Sequence, residues 1–327
     1  MRKFLLLSTL LVLSCFASLS IGSLSSVGFE ELINQIIGNG TDMNSIILWQ
    51  IRLPRILSSF LVGAALGTSG ALLQCLLRNG LAGPFLLGIS AGSGLMVVLS
   101  ITIGIYVSYV PILAWIGAII TVSIVALISY SNSGLSIQKL ILSGVAISSL
   151  FGAIQSVLLL GTEDSRIQTA LQWLIGSLNS VDPQILKVCG IAIAISIGAS
   201  TLMYKSLDIL ILDESMAKNT GINVNRSKLI IAFLATCLSA CAVSISGLIG
   251  FVGLVAPHGA RILLGTNLPS KVVPASAFLG AIFLSVSDLI SRSFASEMPV
   301  GAITALIGSP LFIGLLMRLN SNKFISN

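Results

Sequence analysis

Apolar stretches long enough to cross a bilayer recur along the whole chain, separated by short polar connections. A hydrocarbon core of about 30 Å takes about 20 helical residues. On that measure the pattern predicts about ten spans. In the first half they are Phe4 to Ile21, Ile56 to Leu77, Leu86 to Tyr106, Val110 to Ile128 and Leu140 to Leu160. In the second half they are Ile185 to Tyr204, Leu229 to Leu248, Ile249 to Leu264, Val272 to Ile290 and Val300 to Met317. The stretch from Leu229 to Leu264 has no formal charge before Arg261 and is too long for one crossing. It is expected to fold back at the glycine-rich segment Gly247 to Gly253, which makes the eighth helix short. The longest polar connections, Gly22 to Arg55 and Lys205 to Lys228, are each about 25 to 35 residues, below the usual size of an independent domain. Residues 1–327 therefore read as a single all-α membrane domain.

Composition agrees. The chain is 55% hydrophobic and only 9% charged, with a mean hydropathy of +1.04, where a globular domain carries about a quarter charged residues. An even number of spans puts both termini on one side. With the N-terminus inside, Arg2, Lys3, Arg78, Lys139, Lys205, Lys218, Arg226, Lys228, Arg261, Lys271, Arg318 and Lys323 face the cytoplasm. Arg52, Arg55, Arg166, Lys187 and Arg292 fall outside. That distribution obeys the positive-inside rule. The net charge of +6 then reads as topology and contact with anionic membrane lipid. No basic patch is interleaved with aromatics, so no nucleic-acid partner is expected.

The segment "MRKFLLLSTLLVLSCFASLS" also has the look of a signal peptide. Nine further spans already target the chain, however, and removing the first would invert the charge logic. The five cysteines, Cys15, Cys75, Cys189, Cys237 and Cys241, lie within or beside spans. They read as small packing residues, with no disulfide framework and no metal site.

Candidate chemistry is sparse. There is no G-x-x-x-x-G-K-[ST], so no P-loop binds ATP. Secondary transporters place ionisable groups deep in their spans, where each costs several kcal/mol and is kept for function. Here Asp288 stands in the ninth span with Arg292 four residues on, on one helix face, which reads as a local ion pair. Gln74 and Gln155 read as interhelical hydrogen-bonding groups. An ion-coupled secondary transporter is thus disfavoured, and a permease driven by separate motor subunits gains. Small residues crowd the spans, as in "LVGAALGTSGALL" and "GISAGSG", and allow close helix packing. Gly67-Thr-Ser-Gly-Ala-Leu also echoes Ser244-Ile-Ser-Gly-Leu-Ile in a span of opposite direction, from which an inverted repeat of spans two to five on seven to ten would follow.

"RLPRILSSFLVGAALGTSGALLQCLLRNGLAGPFLLGISAGSG" (Arg52 to Gly94), "SGLIGFVGLVAPHGARILLG" and "EMPVGAITALIGSPLFIGLLMR" (Glu297 to Arg318) strongly resemble the FecCD-type permeases of ABC importers for iron chelates, haem and cobalamin. The resemblance runs from about residue 4 to the end. It implies a type II ABC importer permease fold of ten spans. It also implies a multi-pass location in the cytoplasmic (inner) membrane of a bacterium. The expected partners are a second permease copy, in a homodimer, or a close relative in its place, two cytoplasmic ATPase subunits that hydrolyse the ATP, and an extracytoplasmic substrate-binding protein. The chain itself is then not an enzyme, has no catalytic residues and binds no cofactor. The substrate implied is an iron chelate, siderophore or haem, with cobalamin as the alternative.

The resemblance also assigns residues. Glu214, Ala217 and Gly221 in "DESMAKNTG" match the family's ATPase-coupling pattern, and Asp213 or Ser215 could start a short helix there that Gly221 closes. Arg52, Arg55 and Arg292 match the arginines that meet carboxylates of the binding protein. "PHGAR" matches the family's P-H-x-x-R. Pro257, His258 and Arg261 then form a helix-packing motif near the cytoplasmic end, with His258 expected to hydrogen-bond between helices and Arg261 to reach the headgroups. A haem ligand at His258 is the sharper alternative, set aside because relatives without haem carry a matching histidine. Two departures stand out. The family's R-N-P-L-A-D-P is here Arg78-Asn-Gly-Leu-Ala-Gly-Pro84, so Gly80 and Gly83 should soften an inner loop. The usual L-P-[IV]-G appears as Met298-Pro-Val-Gly301.

Overall fold

A computed structural model describes residues 2–20, 47–131, 134–179, 181–210, 223–294 and 298–324. The chain order begins with α1 (Arg2–Ser20), a π-helical turn (Ile47–Arg52) and α2 (Leu53–Leu76). A 3-10 turn (Pro84–Leu87) leads into α3 (Ile89–Ile103), followed by α4 (Val110–Ser129), a two-stranded hairpin (Tyr130–Ser131 with Gly134–Leu135) and α5 (Ile137–Leu160). Then come α6 (Asp164–Ile175), α7 (Pro183–Leu202), α8 (Tyr204–Leu210) and α9 (Val224–Ser246). The chain closes with α10 (Val252–Leu264), α11 (Pro269–Ser293) and α12 (Val300–Phe324).

Each of the ten expected spans contains one helix. Among the described residues seven helices are long and apolar enough to cross a membrane, and Ile89–Ile103, Val252–Leu264 and Val300–Gly314 are shorter apolar helices. The protein is thus a multi-pass membrane protein. The third span starts later than its hydropathy suggests. Pro84 opens a separate 3-10 turn, and Gly88 takes a left-handed conformation (φ 74°) before α3 begins. The fold-back between α9 and α10 falls where the glycines predict it, with Gly247 at φ 70° and Phe251, unusually for a residue with a side chain, at φ 65°. Cys189, Cys237 and Cys241 are free thiols in contact between α7 and α9.

α2 and α9 are the buried helices at the centre. α2 packs most extensively on α11, then on α9 and α10. The α2–α11 contact is backbone on backbone: a Cβ at Gly63 would collide with the Gly280 carbonyl, and one at Gly67 with the Ser276 carbonyl. Such close approach is how membrane helices gain van der Waals contact without a hydrophobic drive between them. The other flank of α2 meets α9 through Ser69, whose Oγ lies 2.6 Å from Ser239 Oγ and 2.8 Å from the Ala235 carbonyl. α3 and α4 form a second tight pair, joined by Ser93 Oγ donating to the Ala114 carbonyl at 2.9 Å. α1 lies on α11, with Leu7 buried beside Ala260, Val272 and Ala275.

Two elements go beyond the expected spans. α6 occupies what the hydropathy pattern leaves as a connection after the fifth span. Its outer end is knit to the α9–α10 turn: the Leu248 amide donates to the Trp173 carbonyl (3.2 Å), and the Ser177 amide to the Ser246 carbonyl (2.8 Å). α8 occupies the start of the segment expected as a loop from Lys205.

Candidate functional site

Charged residues stand at each end of the α2–α11 pair. At the end expected to lie outside, Asp288 of α11 is 1% exposed and receives two guanidinium groups. Arg55 Nε lies 2.9 Å from its Oδ1, and Arg292 Nε lies 3.1 Å from its Oδ2. Arg292 is one helical turn along α11, so that pair is the local one the spacing predicts; Arg55 comes from the first turn of α2. Arg52 Nη1 donates to the Leu19 carbonyl (2.9 Å) and Arg292 Nη1 to the Ser18 carbonyl (3.2 Å). These are last-turn carbonyls of α1, which lack partners inside their own helix and carry the negative end of its dipole. Ser18 Oγ also meets Ser285 Oγ at 3.1 Å. The outer cluster thereby stitches α1, α2 and α11 together.

Arg52, Arg55 and Arg292, expected to meet carboxylates of a binding protein, are buried within the single chain. Their exposures are 6%, 8% and 5%. Asp288 accounts for two of them: a carboxylate taken out of water is tolerated only with opposite charge around it, which Arg55 and Arg292 supply, whereas Arg52 is held at the Leu19 carbonyl.

At the opposite end, expected to face the cytoplasm, α2, α8 and α11 are tied by polar contacts. Arg78 Nε donates to the Leu210 carbonyl (3.0 Å), and Cys75 Sγ lies 3.5 Å from the Leu207 carbonyl. Asp208 Oδ1 accepts from the Ser270 amide at 2.9 Å. Asp208 thus acts as an N-terminal cap for α11 delivered from another helix, satisfying an amide that α11 cannot. Nothing in the local sequence signals this long-range cap. Replacing Asp208 with alanine is expected to cost about 1 kcal/mol of stability and to raise amide exchange in α8; unchanged exchange there would count against the tie.

Leu210 leads directly into residues 211–222. Glu214, Ala217 and Gly221, with the expected starts at Asp213 or Ser215, lie outside the described residues. The helices flanking that segment are described: α8 before it, and α9 after it, whose first turn is capped by Asn223 Oδ1 accepting from the Arg226 amide at 3.1 Å.

The "PHGAR" motif sits in α10. Pro257 is buried within the helix. His258 and Arg261 are half-buried and line a cavity of about 360 Å³ with Gln74, Arg78, Asn79 and Asn267. The expected interhelical hydrogen bond of His258 is not made: its Nδ1 is buried without a partner. The expectation for the two glutamines divides. Gln155 Nε2 donates to the Ala91 carbonyl at 2.9 Å, whereas Gln74 leaves both Oε1 and Nε2 without a partner. The loop after Arg78 has room at both departures, since a Cβ at Gly80 would meet nothing within 4 Å and one at Gly83 only Leu254 at 3.7 Å. Packing does not require glycine at either position.

Residues 10–318 match the FecCD transport family. The chain is 36% identical over 336 residues to the hemin transport system permease protein HmuU of Yersinia pestis, spanning 99% of this chain and 97% of the relative. It is 36% identical over 272 residues to the cobalamin import system permease protein BtuC of Halobacterium salinarum, spanning 83% of this chain and 73% of that one. Its fold matches a solved inward-facing conformation of a metal-chelate type ABC transporter with a TM-score of 0.86 and 31% identity, covering 97% of this chain and 100% of that chain.

Proposed function

The chain belongs to the FecCD transport family, and on that premise we propose that it is the permease subunit of an ATP-driven importer that carries an iron chelate, siderophore or haem, into the cell. The observation that carries the reading is the end-to-end match to a hemin permease, joined to a fold match that covers the whole of a metal-chelate type transporter chain. The cobalamin permease aligns over a smaller share of both chains. An iron chelate is therefore the first substrate class.

The permease pairs with a second copy, takes its energy from two ATPase subunits on the cytoplasmic side and receives substrate from a binding protein outside. It binds no cofactor of its own. The absence of a P-loop supports hydrolysis by separate subunits, and the Lys and Arg distribution supports a cytoplasmic-membrane location with both termini inside. The inner ties give the coupling segment a mechanical route. A push on residues 211–222 reaches Leu210, and through Arg78 and Asp208 it reaches the ends of α2 and α11.

Glu214→Lys and Gly221→Val are expected to leave membrane insertion and ATP hydrolysis intact while uncoupling hydrolysis from uptake. The measurement is substrate uptake per ATP in proteoliposomes holding permease, ATPase and binding protein, with ferric siderophore, haem and cobalamin supplied in parallel. Full coupling in both variants would remove the coupling assignment, and uptake of cobalamin alone would replace the substrate class.

A further inference from the structure

We propose that the cavity between the inner ends of α2, α10 and α11 is a binding site for a phosphate-class anion, either the phosphate of an anionic lipid headgroup or free inorganic phosphate. Gln74 is 3% exposed, lines this cavity and has no hydrogen-bond partner on either side-chain polar atom. His258, on the facing helix, leaves Nδ1 buried and unpartnered beside the same space. A buried donor or acceptor left unmade is costly and uncommon in folded proteins. Three such atoms, from two side chains that line one cavity, mark where a polar guest completes the set.

The charge around the cavity selects an anion. Arg78 and Arg261 line it, and among the described residues Arg261 has no carboxylate within ion-pair distance. Among the described residues the nearby carboxylate Asp208 directs Oδ1 to the Ser270 amide. Pro269, the first residue of the 25-residue α11, also lines the space, which adds the positive end of that helix's dipole. Gln74 Nε2 and the Nδ1–H tautomer of a neutral His258 would donate to phosphate oxygens, and Arg261 would offer its fork of donors. The volume of about 360 Å³ admits a phosphate with part of a headgroup. The site sits among the cytoplasmic helix ends, the level at which inner-leaflet phosphates lie. This gives the "PHGAR" motif a role that helix packing alone leaves unexplained for His258.

The test uses the full chain in an uncharged detergent, with sodium phosphate or sodium chloride at equal ionic strength, and in nanodiscs of phosphatidylcholine with or without phosphatidylglycerol. Thermal unfolding and native mass spectrometry read binding. Wild type is expected to gain stability with at least one probe. Arg261→Gln should weaken that binding about tenfold, the size of one charge-assisted hydrogen bond. Gln74→Leu should lose the response while unfolding at or above the wild-type temperature without anion, because it removes the orphaned amide. A response to phosphate in detergent identifies a free anion, and a response only to phosphatidylglycerol identifies a headgroup. If neither probe shifts wild type, or if Gln74→Leu and Arg261→Gln respond as wild type does, the site holds only water and the proposal falls.

Discussion

Replacing Asp288 with alanine is expected to lower the unfolding free energy by roughly 3–5 kcal/mol, the cost of breaking a buried ion pair from one side. The carboxylate is 1% exposed and is shared by Arg55 and Arg292, each within 3.1 Å, so its removal takes a counter-charge from two buried guanidinia at once. Asp288→Asn keeps the shape and an acceptor for Arg55 Nε but not the charge, and should lose less. The triple change Asp288→Leu, Arg55→Met, Arg292→Met should recover most of the loss, since replacing a buried ionic set with apolar residues of similar volume is often neutral. Denaturation of the purified chain in mild detergent measures all three. An Asp288→Ala variant within about 0.5 kcal/mol of wild type, the usual range for a change that touches nothing important, would show that the cluster contributes little. The same geometry bears on docking. Arg55→Glu should weaken association with a binding protein together with a loss of permease stability that salt barely alters, because a buried pair is screened far less than an exposed one. A docking residue on an open face would show the salt dependence and keep the stability.

The spans were legible because membrane crossing imposes length and hydropathy directly on sequence, and the turn near Gly247 followed from a run too long for one crossing. What hydropathy missed was amphipathic or local. α6 has Ile167, Leu171 and Leu174 at helical spacing, but its charged first turn breaks the apolar window, and α8 has only seven residues. The i, i+4 relation of Asp288 and Arg292 could be read along one helix, whereas Arg55 is 233 residues away from Asp288 and joins it only through the α2–α11 packing. For the same reason the burial of Arg55 was not legible: its sequence position is at a helix end, but its side chain turns to a carboxylate that only the helix packing brings near. Gln74 and His258 were read as hydrogen-bonding groups from residue type, and only the three-dimensional arrangement exposes that they face a shared space.

Gly67→Val is expected to be the other severe change, losing about 3 kcal/mol, the upper part of the usual range for overpacking. The new Cβ would meet the Ser276 carbonyl, which belongs to the backbone of α11 and cannot rotate away as a side chain could. Gly63 and Gly280 face each other one turn along the same contact, so the two helices would have to separate over more than one turn. Gly198 in α7 supplies the contrast. A Cβ there meets nothing within 4 Å, and Gly198→Ala should be neutral or stabilising by up to about 1 kcal/mol through helix propensity alone. Unfolding measurements on the two variants, with spin labels on α2 and α11 to read their separation, decide the matter. If Gly67→Val unfolds like Gly198→Ala and the label distance is unchanged, the backbone contact is not what holds these helices together. If the helices part, the loss should reach both ends of the pair, because α2 and α11 supply Arg55 and Asp288 at one end and the tie to α8 at the other.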